Sequence, residues 1–236
     1  MLIRKAQMTT NLAAQLREGT TKSHSMAENV SFVKSFLGGV VDKSSYRKLL
    51  SNLYFVYDAI EQQMLINQNH PSIRQIYFEE LNRKQSLEQD LLYYYGHDWK
   101  KLVSPSPAAR IYINRVNSVG RDQPELLIAH AYTRYMGDLS GGQILKKIAC
   151  SAMNLSDKQG VSFYDFDSIH DSKAFKSMYK KTLDNLPITD NQAKAIVSEA
   201  NVAFSLNMKL FQELNSNIIR IMIMFLLNAI NNFRRI

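Results

Sequence analysis

His130-Ala-Tyr-Thr-Arg-Tyr-Met-Gly-Asp-Leu-Ser-Gly-Gly-Gln143 is the stretch around which the chain is organised. Tyr132, Tyr135, Met136 and Leu139 recur at the three- and four-residue spacing of one apolar helical face. Gly137, Gly141 and Gly142 then fall inside the helix, and the periodic pattern resumes at Ile144, Leu145 and Ile148. A glycine in a helix interior costs about 1 kcal/mol relative to alanine. A helix that tolerates a cluster of them is either kinked or approached so closely that a Cβ would collide. Gly137 and Gly141 are one turn apart on one face, and Arg134 and Asp138 form a second i,i+4 pair beside them. That places bare backbone next to a charged strip, which suits a large flat ligand with a polar group at its edge. A tight helix–helix crossing with a surface Arg–Asp pair fits the same spacing.

Outward from this stretch the periodicity is helical, and no alternating strand pattern stands out. The 236 residues, 45% hydrophobic and 21% charged, suit an ordinary globular protein. No repeat of fixed period and no composition shift divides them; Ser104-Pro-Ser-Pro107 is the most linker-like stretch. Residues 1–8 read as a short extension, with Met8 as good a start as Met1, and 9–236 as one domain. The single cysteine, Cys150, excludes an intramolecular disulfide and suits a reducing compartment. No secretory signal or long transit sequence is evident, so the chain reads as not secreted. Ile218 to Ile230 is apolar but short for a membrane span, and reads as a buried terminal helix. The net charge of +8 is spread among helices without an aromatic-interleaved stripe, which favours an acidic protein or anionic ligand over nucleic acid.

Along the chain, a first helix from Thr9-Thr10 carries Ala13, Arg17, Thr20, His24, Ala27 and Glu28 on one arc. His24 and Glu28 are an i,i+4 pair, either a surface contact or a ligand histidine held by a carboxylate. Gly38-Gly39 breaks the next helix and Asp42 caps a long one that includes Tyr57. Further helices are expected over 81–95 and 108–119. Asp122-Gln-Pro-Glu125 and Thr189-Asp-Asn-Gln192 both match the capping-box pattern. Lys173, Lys176 and Lys180 share a face of a helix from Ser172, either solvated or gripping an anion. Ile196, Ala200, Phe204, Asn207 and Phe211 form one stripe, in which a buried Asn207 needs a partner. His70, His97 and His170 fall in apparent loops, and His130 reads as packing.

The run Gly137-Asp-Leu-Ser-Gly-Gly142, with Leu16-Arg-Glu-Gly-Thr-Thr-Lys-Ser-His24, Leu81 to Asp90 and Phe204-Ser-Leu-Asn-Met208, resembles the haem oxygenase family over residues 9 to 230. The likeness is to the soluble type of cyanobacteria and plastids. It implies an all-α fold with haem b sandwiched between a proximal helix and a glycine-kinked distal helix. It implies His24 as the iron ligand, with Glu28 behind it. Gly137 and Gly141 would lie against the haem, and Asp138 would order a distal water network with Tyr57, Arg134 and Asn207. Arg17, Tyr132, Lys176 and Lys180 fall at the haem propionates, and Thr133 and Phe204 join them around the haem. Where relatives often carry arginine, this chain has Lys180, which keeps the charge without the bidentate fork. The implied reaction opens haem at its α-meso carbon to biliverdin IXα, ferrous iron and carbon monoxide, consuming O2, for bilin synthesis. With no flavin or nicotinamide fingerprint, electrons come from outside, and the resemblance implies reduced ferredoxin. It further implies a monomer without a membrane anchor, in a plastid or the cytoplasm of a photosynthetic organism. The alternative is a non-catalytic haem carrier or sensor on the same fold, which would lack Asp138 or add a second axial ligand.

Overall fold

The computed structural model describes residues 10–156 and 159–233, with side chains through residue 214. The expected extension and the burial of residues 218–230 lie outside the described part. The described residues are helical, without strands. In order they form α1 (Leu12–Gly19), α2 (Thr21–Glu28), α3 (Ser31–Leu37), α4 (Lys43–Ile66), α5 (Ile73–Ile76), α6 (Lys84–Tyr95), α7 (Trp99–Leu102), α8 (Pro107–Asp122), α9 (Leu127–Ala131), α10 (Gly137–Met153), α11 (Ser172–Asp184) and α12 (Asp190–Phe233).

Local chemistry sets most of these boundaries. The expected single first helix is two, because Thr20 leaves helical geometry (φ −108°, ψ 1°). Its hydroxyl donates to the Leu16 carbonyl at 2.7 Å, so the joint is shallow. Gly39, at φ 77°, ends α3 as the Gly-Gly pair predicts. The Asp42 carboxylate accepts the Ser45 amide at 2.9 Å and caps α4. A 3-10 turn, Glu79–Leu81, precedes α6, which starts later than its apolar pattern suggests. Ser104–Pro107 is a helix start rather than a linker: Ser106 caps the Ala109 amide and Pro107 occupies the first turn of α8. Asp122 caps nothing. It is the last residue of α8, bound to Arg121 and Ser118, and Pro124 opens a separate 3-10 turn. The second capping box is real: Thr189 Oγ1 accepts the Gln192 amide, and Gln192 Oε1 accepts the Thr189 amide.

α4 lies at the centre, with Tyr46, Leu50, Val56, Tyr57 and Ile60 buried, and packs against α6 and α8. α12 crosses α1, α2, α8 and α9. This brings the first two helices and α12 to the flank of the glycine-bearing segment. Gly137, Gly141 and Gly142 lie in regular helix, and the irregularity is a π-helical turn over Tyr132–Met136 just upstream. No described helix is long and apolar enough to cross a membrane.

Candidate functional site

A cavity of about 470 Å³ opens between α1–α2 on one side and the π turn and α10 on the other, closed off by α11 and α12. Arg17, His24, Tyr132, Thr133, Gly137, Lys176, Lys180 and Phe204 all line it. Thr20 and Met136, noted only for their place on a helical face, line it too, as do Thr21 and Ser140, which carried no signal of their own. His24 projects from α2 with its side chain 59% exposed. Its Nδ1 faces the Glu28 carboxylate at 3.6 Å, and its ring meets the edge of Phe204 at 5.8 Å. Glu28 itself is not part of the wall. Lys176 reaches Ser140 Oγ at 3.4 Å, and Arg17 is largely exposed beside Glu18. Lys173 lies off the wall, so the lysine face divides. Thr133 Oγ1 is buried and has no hydrogen-bond partner among the described residues.

The glycines separate by environment. A Cβ added to Gly142 would sit 3.5 Å from the Tyr164 ring, an ordinary packing contact. One added to Gly137 or Gly141 would meet no atom within 4 Å. Neither residue has a positive φ. A helix crossing therefore does not account for these two glycines, because nothing among the described residues crosses there.

Beside the glycine face lies a buried polar cluster. The Tyr57 hydroxyl donates to Asp138 Oδ2. Arg134 donates from Nε to Tyr57 at 3.0 Å, from Nη2 to Asp138 Oδ1 at 3.3 Å and from Nη1 to Asn207 Oδ1 at 2.9 Å. Burial pushes the Asp138 carboxyl above its usual range, against the pull of Arg134 and Tyr57. Burial works against the charge on Arg134, yet Asp138 keeps it firmly protonated. Burial also raises the Tyr57 hydroxyl well above its ordinary value. Asn207 finds the partner its burial requires. A smaller cavity of about 110 Å³ adjoins Asp138 and Arg134, walled by Phe32, Phe36, Phe163 and Phe211 among others. The loop residues Phe163 and Tyr164 had no periodicity to mark them. Of the loop histidines, His97 and His170 are exposed, whereas His70 is half-buried, its Nδ1 accepting the Ser72 amide at 3.4 Å.

The heme oxygenase family model matches residues 10–213. A heme oxygenase of Porphyra purpurea is 62% identical over 226 residues, 96% of each chain. Heme oxygenase 1 of Synechocystis is 57% identical over 227 residues, covering 96% of this chain and 94% of the relative. The crystal structure of the Synechocystis heme oxygenase-1 in complex with heme superimposes with a TM-score of 0.88 at 58% identity. That match covers 93% of this chain and 99% of the other.

Proposed function

The chain belongs to the haem oxygenase family, and from that premise we propose that it cleaves haem b at the α-meso carbon to biliverdin IXα, ferrous iron and carbon monoxide. The observation that carries this reading is the bare helical face at Gly137 and Gly141, where an added Cβ meets, among the described residues, nothing within 4 Å beyond the adjoining helix backbone. Helix propensity alone would favour alanine at both. A flat ligand lying on that face accounts for the glycines, and the facing His24 accounts for an iron. The partnerless Thr133 Oγ1 and the cations Arg17, Lys176 and Lys180 fit a macrocycle bearing carboxylates.

Bound haem supplies both the oxygen-activating iron and the ring that is oxidised. The protein's part is to hold and to deliver a proton. His24 ligates through Nε2, while Glu28 at Nδ1 sets the tautomer and the ring orientation. Arg17, Lys176 and Lys180 hold the propionates, with Tyr132, Thr133 and Phe204 filling the rim. Lys180 acts as a point charge rather than a fork, so in-plane orientation rests on several weaker contacts. Asp138 is anchored at both oxygens, by Tyr57 and by Arg134, and cannot swing toward the ligand. Burial raises its pKa, which strengthens it as a proton acceptor, and it would order the water through which a proton is delivered. Gly137 and Gly141 admit the ligand to contact distance, and Asn207 holds Arg134 from behind.

Reduced ferredoxin is the proposed donor, attracted as an acidic partner to a chain of net charge +8. The proposal includes a single catalytic domain over 9–236 and a monomer in a plastid or the cytoplasm of a photosynthetic organism, serving bilin synthesis. The test is to load the chain with haem without oxygen, add oxygen and reduced ferredoxin, and identify the pigment. Biliverdin from the wild type and a stalled Asp138→Ala variant support the reading. Haem that binds through His24 yet survives a competent reductant transfers the argument to a carrier.

A further inference from the structure

Among the described residues, the buried and half-buried cations are accounted for in two ways. Most have an acceptor within the chain. Lys84 pairs with Asp58, Arg115 with Glu199, Arg134 with Asp138 and Lys146 with Asp165, and Arg83 donates to backbone carbonyls. Lys176 reaches only the Ser140 hydroxyl, and its charge faces the haem cavity. Arg47 has no such acceptor and lies nowhere near that cavity. It is half-buried, and its Nε is closed off from solvent without a hydrogen-bond partner among the described residues. Its guanidinium lies over the Tyr95 ring, 5.1 Å from the centroid. A sealed N–H without an acceptor is costly, and by the logic of Lys176 it marks a place where a ligand supplies one.

Arg47 lines a second cavity, of about 490 Å³, between the first half of α4, the end of α6, the segment leading into α8, and α12. It shares no lining residue with the haem cavity. Lys48 and Ser104, both exposed, add an ammonium and a hydroxyl. Asn52 is only 6% exposed, and its carbonyl oxygen is committed to the Ser106 amide at 3.1 Å. The amide nitrogen is therefore what Asn52 offers the cavity. Glu213 is the carboxylate on this wall, and its charge is already answered at the start of α8. One of its oxygens accepts the Ala108 amide at 2.8 Å and the other accepts the Ser106 hydroxyl. The wall thus presents two cations and an amide as donors, with its own acceptors engaged.

We propose that this cavity binds a phosphate group, free or carried by a small organic ester. Arg47 and Lys48 neutralise it, and Asn52 and Ser104 donate to its remaining oxygens. A phosphate carries a charge of about −1.5 to −2 near neutral pH, which matches the two cations. The donors come from α4 and from the segment before α8, so the diverging oxygens of a tetrahedral group meet more of them than a flat carboxylate does. Leu102, 63% exposed on the same wall, gives the carbon part of an ester an apolar contact.

The test is a titration of the 15N-labelled chain with sodium phosphate, followed by NMR. The chain is first loaded with ferric haem, so that Arg17, Lys176 and Lys180 are already engaged. Sodium chloride keeps the ionic strength constant, and pH is held fixed. The expected result is a set of saturable shifts confined to the amides around Arg47, Asn52 and Ser104, with acetate binding about tenfold more weakly or less. Arg47→Gln and Lys48→Gln should each weaken phosphate binding by about tenfold, as the loss of one charge-assisted hydrogen bond implies. Phenyl phosphate separates the two sources: tighter binding than inorganic phosphate assigns the site to an ester, and equal or weaker binding assigns it to the free ion. Shifts that never saturate, or a phosphate affinity that is the same in the wild type and the variants, overturn the inference. Acetate binding as tightly as phosphate overturns the choice of ligand. If Arg47→Gln fails to fold, Lys48→Gln decides alone.

Discussion

Replacing Gly137 and Gly141 by alanine separates what the fold requires from what a ligand requires. Both residues are in regular helix with negative φ, and an added Cβ meets nothing within 4 Å. Each substitution therefore gains helix propensity without a clash, worth about 1 kcal/mol. For a chain of this length that corresponds to a rise in Tm of about 2–4 °C per substitution, or about 4–8 °C for the pair. Thermal and urea denaturation of the haem-free chain measures it. Haem titration on the same samples should show the opposite sign, because each methyl occupies the face on which the ligand lies. Displacing a flat ligand by even a fraction of an ångström forfeits a quarter or more of each dispersion contact. Affinity and turnover should therefore both fall, with Gly137, which lines the cavity, the more damaging. Loss of stability in the haem-free double variant would mean that the glycines serve packing. Unchanged haem binding with raised stability would mean that no ligand touches this face. Either result refutes the reasoning.

Three further outcomes follow from buried groups. Burial raises the Glu61 carboxyl to about 7, although one of its oxygens accepts the Arg83 and Lys84 amides. The folded state thus holds that proton more tightly than the unfolded chain, so stability falls as pH rises from about 4.5 through 7, by up to about 3 kcal/mol. Glu61→Gln should be more stable than wild type at pH 8 and equal to it below pH 4.5, as urea titrations at the two pH values will show; a constant difference would contradict the assignment. Asp90 accepts the Ser162 amide on one oxygen and the Phe163 amide on the other, both at 2.8 Å, so Asp90→Asn strands one buried amide and should cost about 1–3 kcal/mol of unfolding free energy. Gly160 sits at φ 73° with Tyr93 and Tyr94 atoms 2.7 Å from an added Cβ, so Gly160→Ala should destabilise by about 1–3 kcal/mol from strain alone, again by denaturation.

The helical class, the caps at Asp42 and Thr189, and most of the residues around the larger cavity were legible in the chain. Each rests on local information: a period of 3.6, a capping side chain three residues from its amide, or a run such as Gly137 to Gly142 that few folds would tolerate. The wall formed by Arg17, His24, Tyr132, Gly137 and Lys180 was legible because the family resemblance carries tertiary information inside a linear motif. Asp122 misled because a capping pattern cannot announce that α8 is already using that residue as its last turn. The Ser-Pro run before α8 is linker-like in composition but too short to divide the chain, and it serves as the cap and first turn of α8.

Two features only the tertiary structure decided. Whether the bare glycine face meets a neighbouring helix depends on where every other element lies, and spacing along one helix holds no such information. The polar chain Arg134–Asn207–Tyr112–His130–Glu199–Arg115 joins residues on separate helices, with His130 and Glu199 69 positions apart. Tyr112, Arg115 and Glu199 went unremarked in the sequence, and His130 was expected merely to pack. Hydrogen-bond direction, burial and the shift of the Glu199 carboxyl are properties of the assembled cluster, because desolvation and pairing act only once α8, α9 and α12 are packed together.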